Sequence, residues 1–170
     1  MEYADLVTVL GDPEAEDLDL LRQLARPGVP VARDWPDLST QRLLTGVHEH
    51  AAGERWAAEV YRGARRDAQT EFVWRMDVTS DVPLDPQRLQ EEISALGGGA
   101  FRTRGCFWLA SRPDQIAVWD GAGGQLSIGV SGSWGRALPV TRLLFTGLLT
   151  DDSRQQVHAA FARVQLTEAE

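Results

Sequence analysis

Residues 101–114 read Phe101-Arg102-Thr103-Arg104-Gly105-Cys106-Phe107-Trp108-Leu109-Ala110-Ser111-Arg112-Pro113-Asp114. The run is rich in aromatic residues and has no polar face at helical spacing, so it reads as a strand. Strand parity puts Arg102, Arg104, Cys106 and Trp108 on one face and Phe101, Thr103, Phe107 and Leu109 on the other. Arg112-Pro113-Asp114 then reads as a turn, followed by a second strand from Gln115 to Asp120. Gly121-Ala122-Gly123-Gly124 makes the next turn, into a third strand from Gln125 to Val130. Three strands at hairpin spacing predict an antiparallel sheet.

The flanking segments extend that sheet. Upstream, Phe72 to Met76 reads as a strand, and Pro83-Leu84-Asp85-Pro86 opens a helix whose Leu89, Ile93 and Leu96 face a core before Gly97-Gly98-Gly99 ends it. Downstream, Thr141 to Leu148 is a strand, and Asp151 is expected to cap a last helix carrying Val157, Ala160, Phe161 and Val164. The order predicts an α+β fold, an antiparallel sheet of four to five strands with helices on one face. The N-terminal part has a different pattern. Tyr3 to Leu10 suits a buried strand, and Asp12 and Pro13 open a helix bearing Leu18, Leu21, Leu24 and Ala25. Gly28 closes that helix, and Val29 to Ala32 returns as a second strand. This predicts a small β-α-β segment over residues 1–50 with an open sheet edge. A short helix is expected from Ser39 to Gly46, a polar, arginine-rich connector over 51–70, and the α+β domain over 71–170.

Composition narrows the function classes. The 170 residues carry a formal net charge of −8, which argues against the whole chain being drawn to a phosphate backbone. The acidic excess lies before residue 71, leaving 71–150 close to balance. Every basic side chain of the Lys and Arg type is arginine, and the chain contains neither lysine nor asparagine. Its one cysteine cannot form an internal disulfide, which suits a reducing cytoplasm. No apolar run approaches the ~18 residues that span a bilayer, and the N-terminus lacks a basic region ahead of an apolar one, so no membrane partner is expected.

The 101–114 run resembles the signature of the C-terminal domain of CobW-family P-loop GTPases, in which a Leu-Arg-(small)-(Lys or Arg)-Gly-aromatic-Trp-Leu-Ala pattern recurs. Val118-Trp119-Asp120 with Ala122-Gly123-Gly124 follows in the family's order, as do Trp134, Ala137-Leu138-Pro139 and Leu144-Phe145-Thr146-Gly147. The closing Gln165-Leu166-Thr167-Glu168-Ala169-Glu170 completes the series. The resemblance covers about 71–170 and is nearest the actinobacterial branch. Residues 1–50 resemble, more weakly, the last third of that family's GTPase domain, as a degenerate remnant. There the guanine-reading Asn-Lys-x-Asp motif would fall at Val9-Leu10-Gly11-Asp12, which does not carry it. A Walker A loop needs a lysine at the β- and γ-phosphates, and the family's Cys-x-Cys-Cys metal motif needs more than one cysteine.

These departures from the family's motifs imply a P-loop deficient protein without nucleotide chemistry of its own, and the resemblance implies a metallochaperone-like role in zinc or cobalt homeostasis as a client-binding or regulatory module. Its implied partners are a protein client or a GTPase chain supplied in trans. A ribosome- or RNA-associated role is the third reading, through the arginines of the 101–112 stretch. Candidate partner-binding residues are Arg102, Arg104, Trp108, Arg112 and Trp119, since a guanidinium pair beside an indole can grip a phosphate, a base or an acidic helix. The alternative is a salt-bridged strand with Trp108 in the core, and two or three of Trp74, Trp108, Trp119 and Trp134 are expected to be buried. His48 and His50, two residues apart, are the candidate metal ligands, with zinc the ion they would suit; the alternative is a solvated linker. Cys106, without a neighbouring histidine or CxxC partner, reads as a structural thiol.

Overall fold

The computed structural model describes residues 3–33, 48–62 and 68–167. The helix expected from Ser39 to Gly46 lies outside the described residues. Val7–Val9 (β1) and Val31–Arg33 (β2) pair in parallel with Val7 opposite Val31, and Ala15–Leu24 (α1) forms the crossover with Leu18 buried beneath it. The helix starts later than Asp12 and Pro13 suggest. Glu14 is its N-cap residue, and the Glu14 amide donates to Asp17 Oδ2 at 3.1 Å, a local bond that Asp12 does not supply.

Residues expected as a connector contain a helix, His50–Arg62 (α2). Its small residues let it pack closely, as at Gly53, where an added Cβ would lie 2.8 Å from the Tyr3 ring. After it come Ala68–Gln69 (β3), Val73–Ser80 (β4), Pro86–Gly97 (α3), Phe101–Leu109 (β5), Arg112–Ala122 (β6), Gln125–Ser133 (β7), Thr141–Leu148 (β8) and Arg154–Val164 (α4).

The sheet runs β3-β4-β8-β5-β6-β7, antiparallel throughout. The α+β class and the preceding β-α-β segment are as the sequence predicts, with five long strands and the two-residue β3 as a sixth. Several boundaries differ: β4 and β7 run on past Met76 and Val130 to Ser80 and Ser133. The β5–β6 turn falls at Ala110-Ser111, so Arg112-Pro113-Asp114 begins β6; proline is tolerated there because the first residues of a strand need not donate to the ladder. The last helix starts at Arg154 with Ser153 as N-cap, because Leu149–Asp151 forms a turn of 3-10 helix first.

One face of the sheet holds the core. Trp74, Met76, Val78, Phe101, Phe107, Trp119, Leu143 and Phe145 meet Leu89 and Leu96 of α3 and Val157, Ala160, Phe161 and Val164 of α4. The rings interlock edge to face, Phe101 with Phe145 at 5.6 Å and Phe107 with Trp119 at 5.8 Å, a geometry favoured by the ring quadrupoles. Asp85 anchors α3 by accepting from the Arg88 amide at 2.8 Å, with Pro86 in the first turn. The opposite face is partly covered by the N-terminal helices. α1 reaches β4 and β8, and α2 reaches β5 and β8.

Candidate functional site

Four arginines and two aspartates lie across that second face. Arg75 on β4 donates to the backbone carbonyl of Gln23 at 3.0 Å and to its side chain at 3.1 Å, meeting the exposed carbonyls at the C-terminus of α1. Arg142 on β8 grips Asp77 Oδ2 through Nε at 3.1 Å and Nη2 at 2.5 Å. On β5, Arg102 forms a fork with Asp120, Nη1 to Oδ1 at 2.7 Å and Nη2 to Oδ2 at 2.9 Å, and donates to the Gly121 carbonyl at 2.9 Å. Arg104 lies opposite Asp120 in the β5–β6 register and is 6% exposed. Burial pushes its guanidinium down to about 10, and the charge of Asp120 works against that fall.

The parity of β5 is as the sequence predicts, but the guanidinium pair is not an open clamp. Arg102 is held by Asp120, and Arg104 is inside. Trp108 is half-buried with its indole N–H unbonded among the described residues. Trp119 is fully buried against Phe107, so it cannot touch a partner; its parity on β6 points it under α3. Of the five candidate partner-binding residues, Arg112 alone is an exposed cation with no ion pair among the described residues. The arginine face on which an RNA reading would rest is therefore occupied by the protein's own carboxylates. Cys106 is buried on the same face, 3.8 Å from the Val140 carbonyl, and burial raises its thiol.

The two histidines lie at the start of α2. His48 Nδ1 faces Asp5 Oδ2 at 2.6 Å, and His50 Nε2 faces Glu54 Oε1 at 3.1 Å, with the rings 5.8 Å apart. Arg26 also binds Asp5, so that carboxylate joins the N-terminal segment to the beginning of α2. The hydrogen bond from His48 is the largest cause holding the Asp5 carboxyl below the ordinary aspartate value. The imidazoles turn to separate carboxylates, and among the described residues no three metal-type side chains converge. This arrangement does not fit a zinc site.

A feature absent from the candidate residues lies at the other edge of the sheet. On β7, Leu126, Ile128 and Val130 face the helical layer opposite Gly121, Trp119 and Ala117. Leu126 is half-covered by the end of α3, whereas Ile128 and Val130 are 45% and 60% exposed. Beneath them a cleft of about 230 Å³ is lined by Phe107, Leu109, Arg112 and Ala117. The alternation of leucine, isoleucine and valine along Gln125–Ser133 is legible, but the sequence does not show that α3 covers Leu126 and leaves Ile128 and Val130 exposed. No helix of the described residues is long and apolar enough to cross a membrane.

Comparison with known proteins gives this architecture a context. The family described as the cobalamin synthesis protein cobW C-terminal domain matches residues 73–165, from β4 through α4. A zinc chaperone of Mycobacterium tuberculosis is 39% identical over 148 residues, covering 86% of this chain and 37% of that protein. A zinc-regulated GTPase metalloprotein activator of Dictyostelium discoideum is 40% identical over 55 residues, 31% of this chain and 12% of that one. The chain thus spans little more than a third of the mycobacterial relatives. A Zn(II)-bound triple mutant of the YjiA GTPase superposes with a TM-score of 0.52 over 97% of this chain and 53% of that one, at 17% identity, a likeness of fold.

Proposed function

Because this chain belongs to the CobW C-terminal domain family, we propose that it works in metal homeostasis as a client-binding or regulatory module with no nucleotide chemistry of its own. One observation carries the second half of that reading. The chain has no lysine to reach a terminal phosphate and no asparagine to read guanine. Relatives named for zinc handling support the first half. In this reading residues 71–170 are the recognition domain, residues 1–50 the degenerate remnant of a GTPase layer, and 51–70 the join between them. Zinc is cargo handled with a client, and the place of action is the cytoplasm.

A second reading, completion by a GTPase chain in trans, is favoured by β1 and β2. A parallel pair of three-residue strands is a poor sheet alone, and Tyr3 and Leu10 beside it are exposed at 48% and 75%. Measuring GTP turnover by the purified chain tests the main proposal. The expected rate is background. Turnover that is abolished by substitutions in this chain sinks it. Affinity capture with and without zinc chelation separates the two readings: a zinc-dependent metalloenzyme supports the first, and a P-loop protein the second.

A further inference from the structure

The outer edge of β7 carries no neighbour among the described residues. Such edges usually carry charge, proline or a covering element that prevents pairing with another chain. Gln125–Ser133 contains no charged residue and no proline. Its one irregularity is the register shift opposite Ile116 and Ala117, which confines the regular edge to Gln125–Val130. By the alternation of an antiparallel ladder, every second residue of that stretch turns its N–H and C=O away from β6. Side-chain sites lie alongside: the cleft under Ile128 and Val130, and a second hollow between Ile93, Gly97 and Leu126 that shares Ile128 with it. Arg112 stands at the first cleft, exposed and without an ion pair among the described residues.

We infer that the β7 edge receives an extended segment of a client protein, which adds as a strand, seats aliphatic side chains at alternate positions over Ile128 and Val130, and places a carboxylate against Arg112. Backbone bonds supply affinity and the clefts and the arginine supply selectivity, as in strand addition generally. Charge decides between this occupant and a second copy of the chain. Another β7 is neutral and would leave both Arg112 side chains unanswered, and two chains of net charge −8 repel. The inference rests on the client-binding reading and assigns its surface.

The test uses the full chain labelled with nitrogen-15 and two capped peptides, Thr-Val-Thr-Val-Thr-Asp and Thr-Val-Thr-Val-Thr-Lys, whose last residue shares the face of the valines. The acidic peptide is expected to shift the Leu126, Ile128 and Val130 amides saturably and to bind about fivefold more tightly than the lysine peptide, the scale of one exposed charge pair. Arg112→Ala should erase that preference. Val130→Lys, at a position 60% exposed, should abolish binding while leaving the α3 and α4 amides in place. Absence of saturable shifts at β7, equal affinity for the two peptides, or undiminished binding by Val130→Lys overturns the inference. So does a concentration-dependent dimer that protects β7. Client capture by Val130→Lys equal to that by the unsubstituted chain removes this surface and leaves the client-binding reading standing. Failure of that reading appears separately, as GTP turnover.

Discussion

Gly105 is the position where one methyl group should do most damage. It sits mid-strand in β5 opposite Leu143 of β8, with φ of +157°. A Cβ there would lie 1.9 Å from the Arg142 carbonyl oxygen, 2.9 Å from its carbon and 3.0 Å from Leu143 Cα. All three atoms are backbone of a central strand, so no rotamer change relieves the contact. Reaching even 3.0 Å from the oxygen requires a shift of about 1.1 Å (3.0 − 1.9) between two strands whose side chains are packed beneath α3 and α4. Gly105→Ala thus combines overpacking of ~1–3 kcal/mol with backbone strain of similar size, together about 2–6 kcal/mol. That is a large share of the ~5–15 kcal/mol that stabilises an ordinary domain. Equilibrium urea unfolding followed by tryptophan fluorescence reads it, because Trp74 and Trp119 are fully buried. With a slope of ~2 kcal/mol/M the midpoint should fall by roughly 1–3 M. Gly129→Ala is the control, since nothing lies within 4 Å of its Cβ and a small effect of either sign, about 0.5 kcal/mol, is expected. A Gly105→Ala midpoint within about 0.5 M of the parent at unchanged slope refutes the steric account.

Trp119→Ala should cost about 3–5 kcal/mol in the same assay, since the indole is wholly enclosed against Phe107; a cost below ~1 kcal/mol would show that the site collapses or that the ring is not core. Cys106 should resist a thiol-directed disulfide reagent at pH 8 until the chain unfolds, because the group is buried and its thiol is raised; rapid labelling of native protein contradicts both statements. The Asp5 carboxyl, lowered in the folded state first by the His48 bond, stabilises the N-terminal segment above the ordinary aspartate value of 3.8 and loses that contribution as pH falls through its folded value. Carbon-detected titration should place its midpoint under 3.8, and Asp5→Asn should remove that step; a midpoint at or above 3.8 rejects the contact.

The sequence alone determined the α+β class, because period-two alternation in 101–130 and period-3.6 alternation in 86–97 and 154–164 are properties of local residue order that no long-range contact needs to supply. It also determined the absence of the lysine and asparagine chemistry, a fact of composition. The helix at His50–Arg62 was harder to read, since its small and charged residues look like a solvated segment until the sheet lies beneath them. The strand parity of Arg102 and Arg104 was legible, but what faced them was not. Asp120 comes opposite Arg104 only through the β5–β6 register, set by a turn at Ala110-Ser111 rather than at the proline. Burial likewise depends on what other segments cover. Gly97 of α3 closes over Trp119, so the aromatic became core, while Arg112 stayed exposed with no ion pair among the described residues, and Ile128 and Val130 stayed exposed as well. Periodicity assigns a residue to a face, whereas only the packing of distant segments decides whether that face meets protein or water.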